Sequence, residues 1–401
     1  MSENYAFYFK TSDGYRGNEI RDVMSFGVAF RMNEVSKWEM TGAGLQPCPF
    51  AEGAEIIVYR GPEPFFSGYV TEIEDSYDSA TRIYDWTAEG NDDFGRLAHR
   101  IIFPDASTAD PEPDTEADYT GHLADILLTI VKENAVTGDA IPERVIPRLD
   151  VSTIPGIGEE QTLTASFDGM LEYILDRLQD NTLGIRGVWD GVTGRWDLQI
   201  FEPRDVSETV VFSVESGTLS AWTRELKAPD GNWLYVQGCE KTDNSGNPTG
   251  EILHVIVADT GSIGKWGRIE KYVDRSDIKQ IIETNDQGQV ISRESWDDVK
   301  ERLRLAALDE LTANSAHSGY RLTAAEVMRL KYRTHWDIGD TVSVRIGGEE
   351  FKAPILEVKV SYEGGVETIV PSVGEMQKGE LETVFTSLGE LKRQVQVLQR
   401  R

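Results

Sequence analysis

The chain has only two cysteines in 401 residues, Cys48 and Cys239, far apart in sequence. That excludes a CxxC pair, a zinc-finger spacing and a disulfide framework. The five histidines, His99, His122, His254, His317 and His335, are scattered. His122 and Asp125 stand i, i+3 on one helix, an ordinary solvated pair unless two further ligands join them. No G-x-S-x-G, G-x-x-x-x-G-K-[ST] or H-E-x-x-H occurs, so a nucleophile elbow, a P-loop and a zincin helix are all missing. Asp243-Asn244-Ser245-Gly246-Asn247 has the residues of a calcium loop without the EF-hand order, and reads as a turn. No run approaches the roughly 20 apolar residues of a membrane helix. Met1-Ser2-Glu3-Asn4-Tyr5 has neither the basic start nor the apolar stretch of a secretory signal. The expectation is no enzyme, no metal or cofactor, no membrane span, and synthesis as a soluble chain in the cytoplasm.

Basic residues are also scarce. Sixty-nine acidic against 40 basic side chains give a net charge of -29. That argues against a nucleic-acid-binding surface, because phosphates need a basic footprint. It suits solubility, and equally a surface that a polyanion slides past without sticking. The length leaves room for two to four domains with real cores.

What is present is a β-hairpin unit that occurs twice, 286 positions apart. Gly53-Ala54-Glu55-Ile56-Ile57-Val58-Tyr59-Arg60-Gly61-Pro62-Glu63-Pro64-Phe65 aligns without a gap with Gly339-Asp340-Thr341-Val342-Ser343-Val344-Arg345-Ile346-Gly347-Gly348-Glu349-Glu350-Phe351. Gly53, Gly61 and Phe65 meet Gly339, Gly347 and Phe351. Each copy reads as a period-two strand, a tight glycine turn and a return strand opened by phenylalanine. Past Val70 and Leu356 the register drifts. Chance likeness between two hairpins is the alternative. Two related β-domains in one chain would allow a ring with twice as many blocks as subunits.

The pattern predicts an α+β, mostly β chain. Residues 1–104 form a first β-domain, with strands at Phe26–Met32, Glu55–Arg60, Phe65–Glu74 and Ile83–Glu89. An acidic, proline-containing stretch follows. Residues 105–215 form an α+β domain. Leu123, Ile126, Leu127, Ile130 and Val131 give one amphipathic helix, and Leu171, Ile174, Leu175 and Leu178 a second, with Asp168 as its cap. A hairpin at Leu183–Trp189 and Trp196–Phe201 comes next. Residues 216–375 hold a second β-domain with a helical insertion at about 260–317. Lys241–Glu251 reads as a polar loop. A long helix starts at Ser295, with Asp298 as its capping partner and Trp296, Val299, Leu303, Ala307 and Leu311 as its apolar stripe. In residues 376–401, Leu381, Val384, Leu388, Leu391, Val395 and Leu398 are spaced as a heptad seam, which predicts a coiled coil. Gly389 weakens it, so the helix needs partners, and a trimer fits its leucine-rich a positions. A fold-back onto its own domain is the alternative.

The order of motifs resembles the hub proteins at the tail tip of long-tailed bacteriophages of the siphovirus type. The resemblance rests on Trp38, "YRGPEPFFSGYVTEIE", "WTAEGNDDFGRLAHRIIFP", "PRDVSETVVFSVESGTLSAW", "NWLYVQGCEK" and "WDIGDTVSVRI", and spans most of residues 20–375. It implies a structural homotrimer in the virion, made in the host cytoplasm. Its two tube-like β-barrel domains per subunit would close or adapt the end of the tail tube as a pseudo-hexameric ring. It further implies as partners the tail tube or distal tail protein, the tape measure protein, and tail fibres or receptor-binding proteins, with genome DNA passing through unbound at ejection. If the ring surrounds a DNA channel, its lumen should be rich in Asp and Glu. A second expectation, from another class, is a carbohydrate-binding or cell-wall-degrading tail-tip protein, with Trp189, Trp196, Trp222, Trp233 and Trp266 as sugar platforms.

Overall fold

The computed structural model describes residues 5–108, 116–136, 141–178, 182–243, 246–284, 290–324 and 330–374. The heptad seam from Leu381 to Leu398 lies outside the described residues. The chain forms two compact units. One runs up to Thr223 and resumes from Tyr320 to Gly374; the other is Arg224–Gly319.

The first unit opens with seven strands: β1 (Tyr5–Lys10), β2 (Arg16–Glu19), β3 (Val23–Arg31), β4 (Lys37–Gly44), β5 (Glu55–Arg60), β6 (Glu63–Asp78) and β7 (Ile83–Asp92). A 3₁₀ helix, Asp93–His99, ends the run, with the Asp92 carboxylate accepting from the Gly95 amide at its start. Then come β8 (Ala117–His122), α1 (Leu123–Ala135), β9 (Leu149–Asp150), β10 (Glu160–Ala165), α2 (Met170–Arg177), β11 (Gly184–Asp190), β12 (Arg195–Phe201), β13 (Val211–Ser213) and β14 (Leu219–Lys227), whose residues from Arg224 on belong to the second unit. The expected cap of α2 moves by one residue. Gly169 takes the cap position, while Asp168 accepts from the Ser166 amide in a local turn that Phe167 enters with φ 52°.

The second unit holds β15 (Trp233–Thr242), β16 (Pro248–Ala258), α3 (Thr260–Trp266), β17 (Glu270–Asp274), β18 (Ile282–Thr284), β19 (Val290–Arg293) and α4 (Trp296–Ala313). Here β15 is the central strand, antiparallel to β16 and parallel to β17. Val299, Leu303 and Ala307 of α4 pack with Leu234, Val236, Leu253 and Val255 in a separate core. Ser295 caps α4 by accepting from the Asp298 amide at 3.1 Å. The stretch expected as a loop at Lys241–Glu251 is largely strand, with β15 running to Thr242 and β16 starting at Pro248. Alternate β16 side chains, Leu253, Val255 and Val257, supply the buried face that a polar flank hid.

The chain returns through β20 (His317–Ala324) to β21 (Thr341–Ile346), β22 (Glu349–Glu363) and β23 (Val366–Gly374). These strands do not form a second, separate sheet. The main sheet runs β14-β20-β23-β22-β3-β4-β7-β6-β5-β1-β2, with β21 on β22 and β13 on β21. It is open at β14 and β2, and among the described residues there is no closed barrel, where two barrel domains were expected. The reason lies in one strand pair. The edge of β3 that barrel closure would need is taken by β22, from Glu357↔Arg31 to Glu363↔Ser25.

Two cores serve the first unit. One lies inside the curled sheet and includes Phe26, Val28, Met40, Ile56, Val58, Phe212, Trp336, Val344 and Val360. The other joins α1, α2, β11 and β12 to the sheet's outer face through Ile57. β5 is therefore buried on both faces, which explains its unbroken Ile56-Ile57-Val58.

Candidate functional site

The repeated segments are the β5–β6 and β21–β22 hairpins. Gly61 and Pro62 make a two-residue turn, as do Gly347 and Gly348. Gly61 and Gly347 both have φ 61°, and Gly348 has φ 86°. Two-residue hairpin loops need such positive angles so that the turn matches the strand twist, and only glycine adopts them freely. Gly53 (φ 68°) and Gly339 (φ 87°) take the same left-handed conformation ahead of β5 and β21. Arg60 pairs with Glu63, and Ile346 with Glu349.

The register then separates by one residue. Val344 pairs with Phe351, but Val58 pairs with Phe66, because Phe65 is the extra residue of a β-bulge. Beyond it the correspondence is 285 rather than 286 positions, so the register separates at Phe65, ahead of the drift that the sequence places past Val70 and Leu356. With that offset the two return strands share a second bulge, at Thr71 and at Leu356, and then pair residue for residue with β7 and β23. Glu72, Ser76 and Tyr77 so correspond to Glu357, Ser361 and Tyr362. Phe65 is buried and Phe351 partly buried. Phe65 carries the Arg333 guanidinium over its ring at 4.6 Å.

Likeness extends through each block. The order β1-β5-β6-β7-β4-β3 in the first is matched by β13-β21-β22-β23-β20-β14 in the second. Each starts its last five strands with the outermost pair, β3–β4 or β14–β20, and continues through a three-strand meander. The second unit is inserted where the first block has only the β3–β4 connection. One difference is strand direction: β1 runs antiparallel to β5, whereas β13 runs parallel to β21.

Sequence reasoning missed a buried ionic cluster against the hairpin. Lys10 Nζ is wholly buried, 2.7 Å from Asp93, 3.8 Å from Glu55 and over the Trp189 ring. Ser67 donates to Asp93 at 2.5 Å, and Glu55 also receives Arg96 at 2.6 Å and Arg148. Burial alone would raise the Asp93 carboxyl, but attraction and hydrogen bonding from Lys10, with help from Ser67 and Arg96, hold it below the usual carboxylate range. In sequence these side chains look like any solvated charges. Their one signal is Lys10 closing an otherwise apolar strand.

Asp92 next to it behaves oppositely. Burial, reinforced by the Asp93 charge, pushes its carboxyl up to about 7 despite donation from Ser36 and Gly95. A folded-state value above the unfolded one means the native state holds this proton more tightly. Its stabilising contribution is full below about pH 4 and is lost as pH rises through about 7. Asp92→Asn is therefore expected to gain stability relative to the parent as pH rises from about 5 to about 8, read as the difference in urea midpoints. A difference that does not change with pH would contradict this origin.

The five tryptophans expected as sugar platforms divide. Trp189 and Trp196 belong to the α1/β12 core, Trp233 is partly buried under Arg268, and Trp222 and Trp266 are exposed. Among the described residues no group of three His, Cys, Asp or Glu is placed to hold a metal ion, and no helix is long and apolar enough to cross a membrane.

Solved structures share this fold. The 43 kDa tail protein of prophage MuSo2 from Shewanella oneidensis matches at TM-score 0.54 and 14% identity, over 92% of this chain and 98% of that one. A tail protein from Neisseria meningitidis MC58 matches at TM-score 0.50 and 12% identity, over 93% and 97%. No curated protein matches. The sequence model of one family, Siphovirus ReqiPepy6 Gp37-like protein, matches residues 11–375, nearly the whole chain. The chain belongs to that family and shares its fold with these two tail proteins.

Proposed function

We propose that the chain is the hub of a siphovirus tail tip: a homotrimer whose two strand blocks alternate around one ring that closes or adapts the end of the tail tube. The observation that carries this reading is the matched strand order of the two blocks, including the shared bulge at Thr71 and Leu356. Two like blocks per chain let three chains present six like positions, so a three-fold particle can meet a six-fold tube. In this reading each block is a tube-like module that becomes part of a closed barrel only in the ring. Its partners would be the tail tube or distal tail protein, the tape measure protein, and tail fibres or receptor-binding proteins. Genome DNA passes an acidic wall without holding to it. The segment from Leu381 to Leu398 would form a three-stranded coiled coil on the axis, stabilised because the ring raises its local concentration. The role is structural, without catalysis. Native mass spectrometry of the full chain tests this. The expected particle has three times the 44.8 kDa chain mass. A particle of one or two chains at all concentrations would overturn the reading.

A further inference from the structure

The two blocks meet within one chain through a specific strand pair, and the partners of that pair recur unmatched at the block's other borders. Inside the chain, β3 of the first block lies antiparallel on the far half of β22, with Arg31 opposite Glu357, Phe30 opposite Val358, Val28 opposite Val360 and Phe26 opposite Tyr362. Arg31 and Glu357 are also an ion pair at 3.3 Å, and the Tyr362 ring lies tilted against Tyr5, beside Phe26, at a centroid distance of 4.7 Å. By correspondence of the blocks, the counterpart of β22 is β6 and the counterpart of β3 is β14. The far half of β6, Glu72 to Tyr77, has β7 on one edge and no strand on the other among the described residues. β14 ends the sheet, with β20 on one edge and no strand on the other among the described residues.

We propose that β14 of one subunit pairs antiparallel with the far half of β6 of the next, repeating between chains the junction that β3 and β22 make within one. The inference rests on the ring reading above and adds its contact. The occupant of each edge is a second copy of this chain. The register follows from the correspondence. Both β3 and β14 have nine residues. Without a gap, Phe26 matches Trp222, Phe30 matches Leu226 and Arg31 matches Lys227. The neighbouring strands agree: Trp38, Met40 and Thr41 match Tyr320, Leu322 and Thr323. Placed on β6, this sets Trp222 opposite Tyr77, Thr223 opposite Ser76, Arg224 opposite Asp75, Leu226 opposite Ile73 and Lys227 opposite Glu72.

Three observations fit that register. Trp222, Leu226 and Tyr77 are 45%, 52% and 52% exposed, although their counterparts Phe26 and Tyr362 are packed in the internal junction. Two of the three positions with a charge on each strand carry opposite charges, Arg224 with Asp75 and Lys227 with Glu72, the latter in the place of the Arg31–Glu357 pair. One like-charged pair remains, Glu74 with Glu225. The contact also joins two different edges, head to tail, which is the kind that closes into a ring. Charged edges of this sort otherwise keep strands from pairing with strangers. Here the two charge patterns are complementary to each other and repel their own kind, since acidic β6 edges cannot pair together.

The test uses the full chain carrying Ser76→Cys and Thr223→Cys, oxidised and run without reductant. Directly opposed strand positions have the Cα separation that a disulfide needs. The expected product is a covalently closed trimer, absent from either single variant and from Tyr77→Cys with Thr223→Cys, whose side chains face opposite ways. In parallel, Asp75→Arg should raise the concentration for half-assembly about tenfold or more, since three junctions are weakened at once, and Asp75→Arg with Arg224→Asp should restore it. A trimer that forms but neither cross-links nor responds to the charge swap would overturn this junction and leave the ring reading standing. A chain that stays monomeric, or polymerises into open filaments, would overturn both.

Discussion

Asp93→Ala is expected to cost about 3–5 kcal/mol of folding stability, the range for leaving a buried charge unpaired. The Lys10 ammonium has no exposed side-chain surface, and Asp93 at 2.7 Å is its nearest counter-charge. Glu55 stands 3.8 Å away and is already shared with Arg96 and Arg148. Removing the carboxylate leaves Lys10 with the Trp189 face, which offers far less than an ion pair. Ser67 loses its acceptor as well. The cluster ties β1 and the hairpin to the 3₁₀ helix, so the damage should spread through the first block. Urea unfolding of the full chain reads the effect. The pair Lys10→Met with Asp93→Leu is expected to recover much of the loss, because an apolar replacement removes the stranded charge. A single-variant cost below about 1 kcal/mol would show that water or Glu55 already satisfies Lys10.

Trp336→Ala should cost a similar amount, about 3–5 kcal/mol, but through packing. The indole is fully buried, 5.3 Å from the Phe212 ring and 4.9 Å from Tyr332, and its Nε1 donates to the Leu330 carbonyl at 3.4 Å. Phe212 sits on β13, so this contact helps seat the strand that opens the second block. Alanine would leave a cavity that rigid strands on both sides cannot fill. Trp336→Phe should retain much of the stability by keeping the ring contacts. Equal losses from alanine and phenylalanine would place the stabilisation in the Nε1 hydrogen bond instead.

These sites differ in how far the sequence exposed them. The β5–β6 and β21–β22 hairpins were legible because period-two apolar residues end in glycines that the turn geometry requires. The Phe65 bulge was not, since an extra residue carries no composition of its own. The helices α1 and α4 announced themselves by their stripes. By contrast, β16 was obscured by its exposed polar alternates, and the buried Lys10–Asp93 pair by its likeness to surface charge. The β3–β22 pairing was not legible, because it joins residues over 300 positions apart and no local pattern encodes it. The edge of β6 is an acidic run with no pattern of its own that points to a partner. Its acidity gains meaning only when β14, with its two basic residues, is seen to end the same sheet.

The most direct test of the account is an electron-microscope image of the full-length particle viewed along its axis. Three chains in one ring, with six similar lobes around a central opening, is the predicted result. A compact particle with no central opening, or one with two-fold symmetry, would contradict the claim that the two blocks of this chain are alternating parts of one ring.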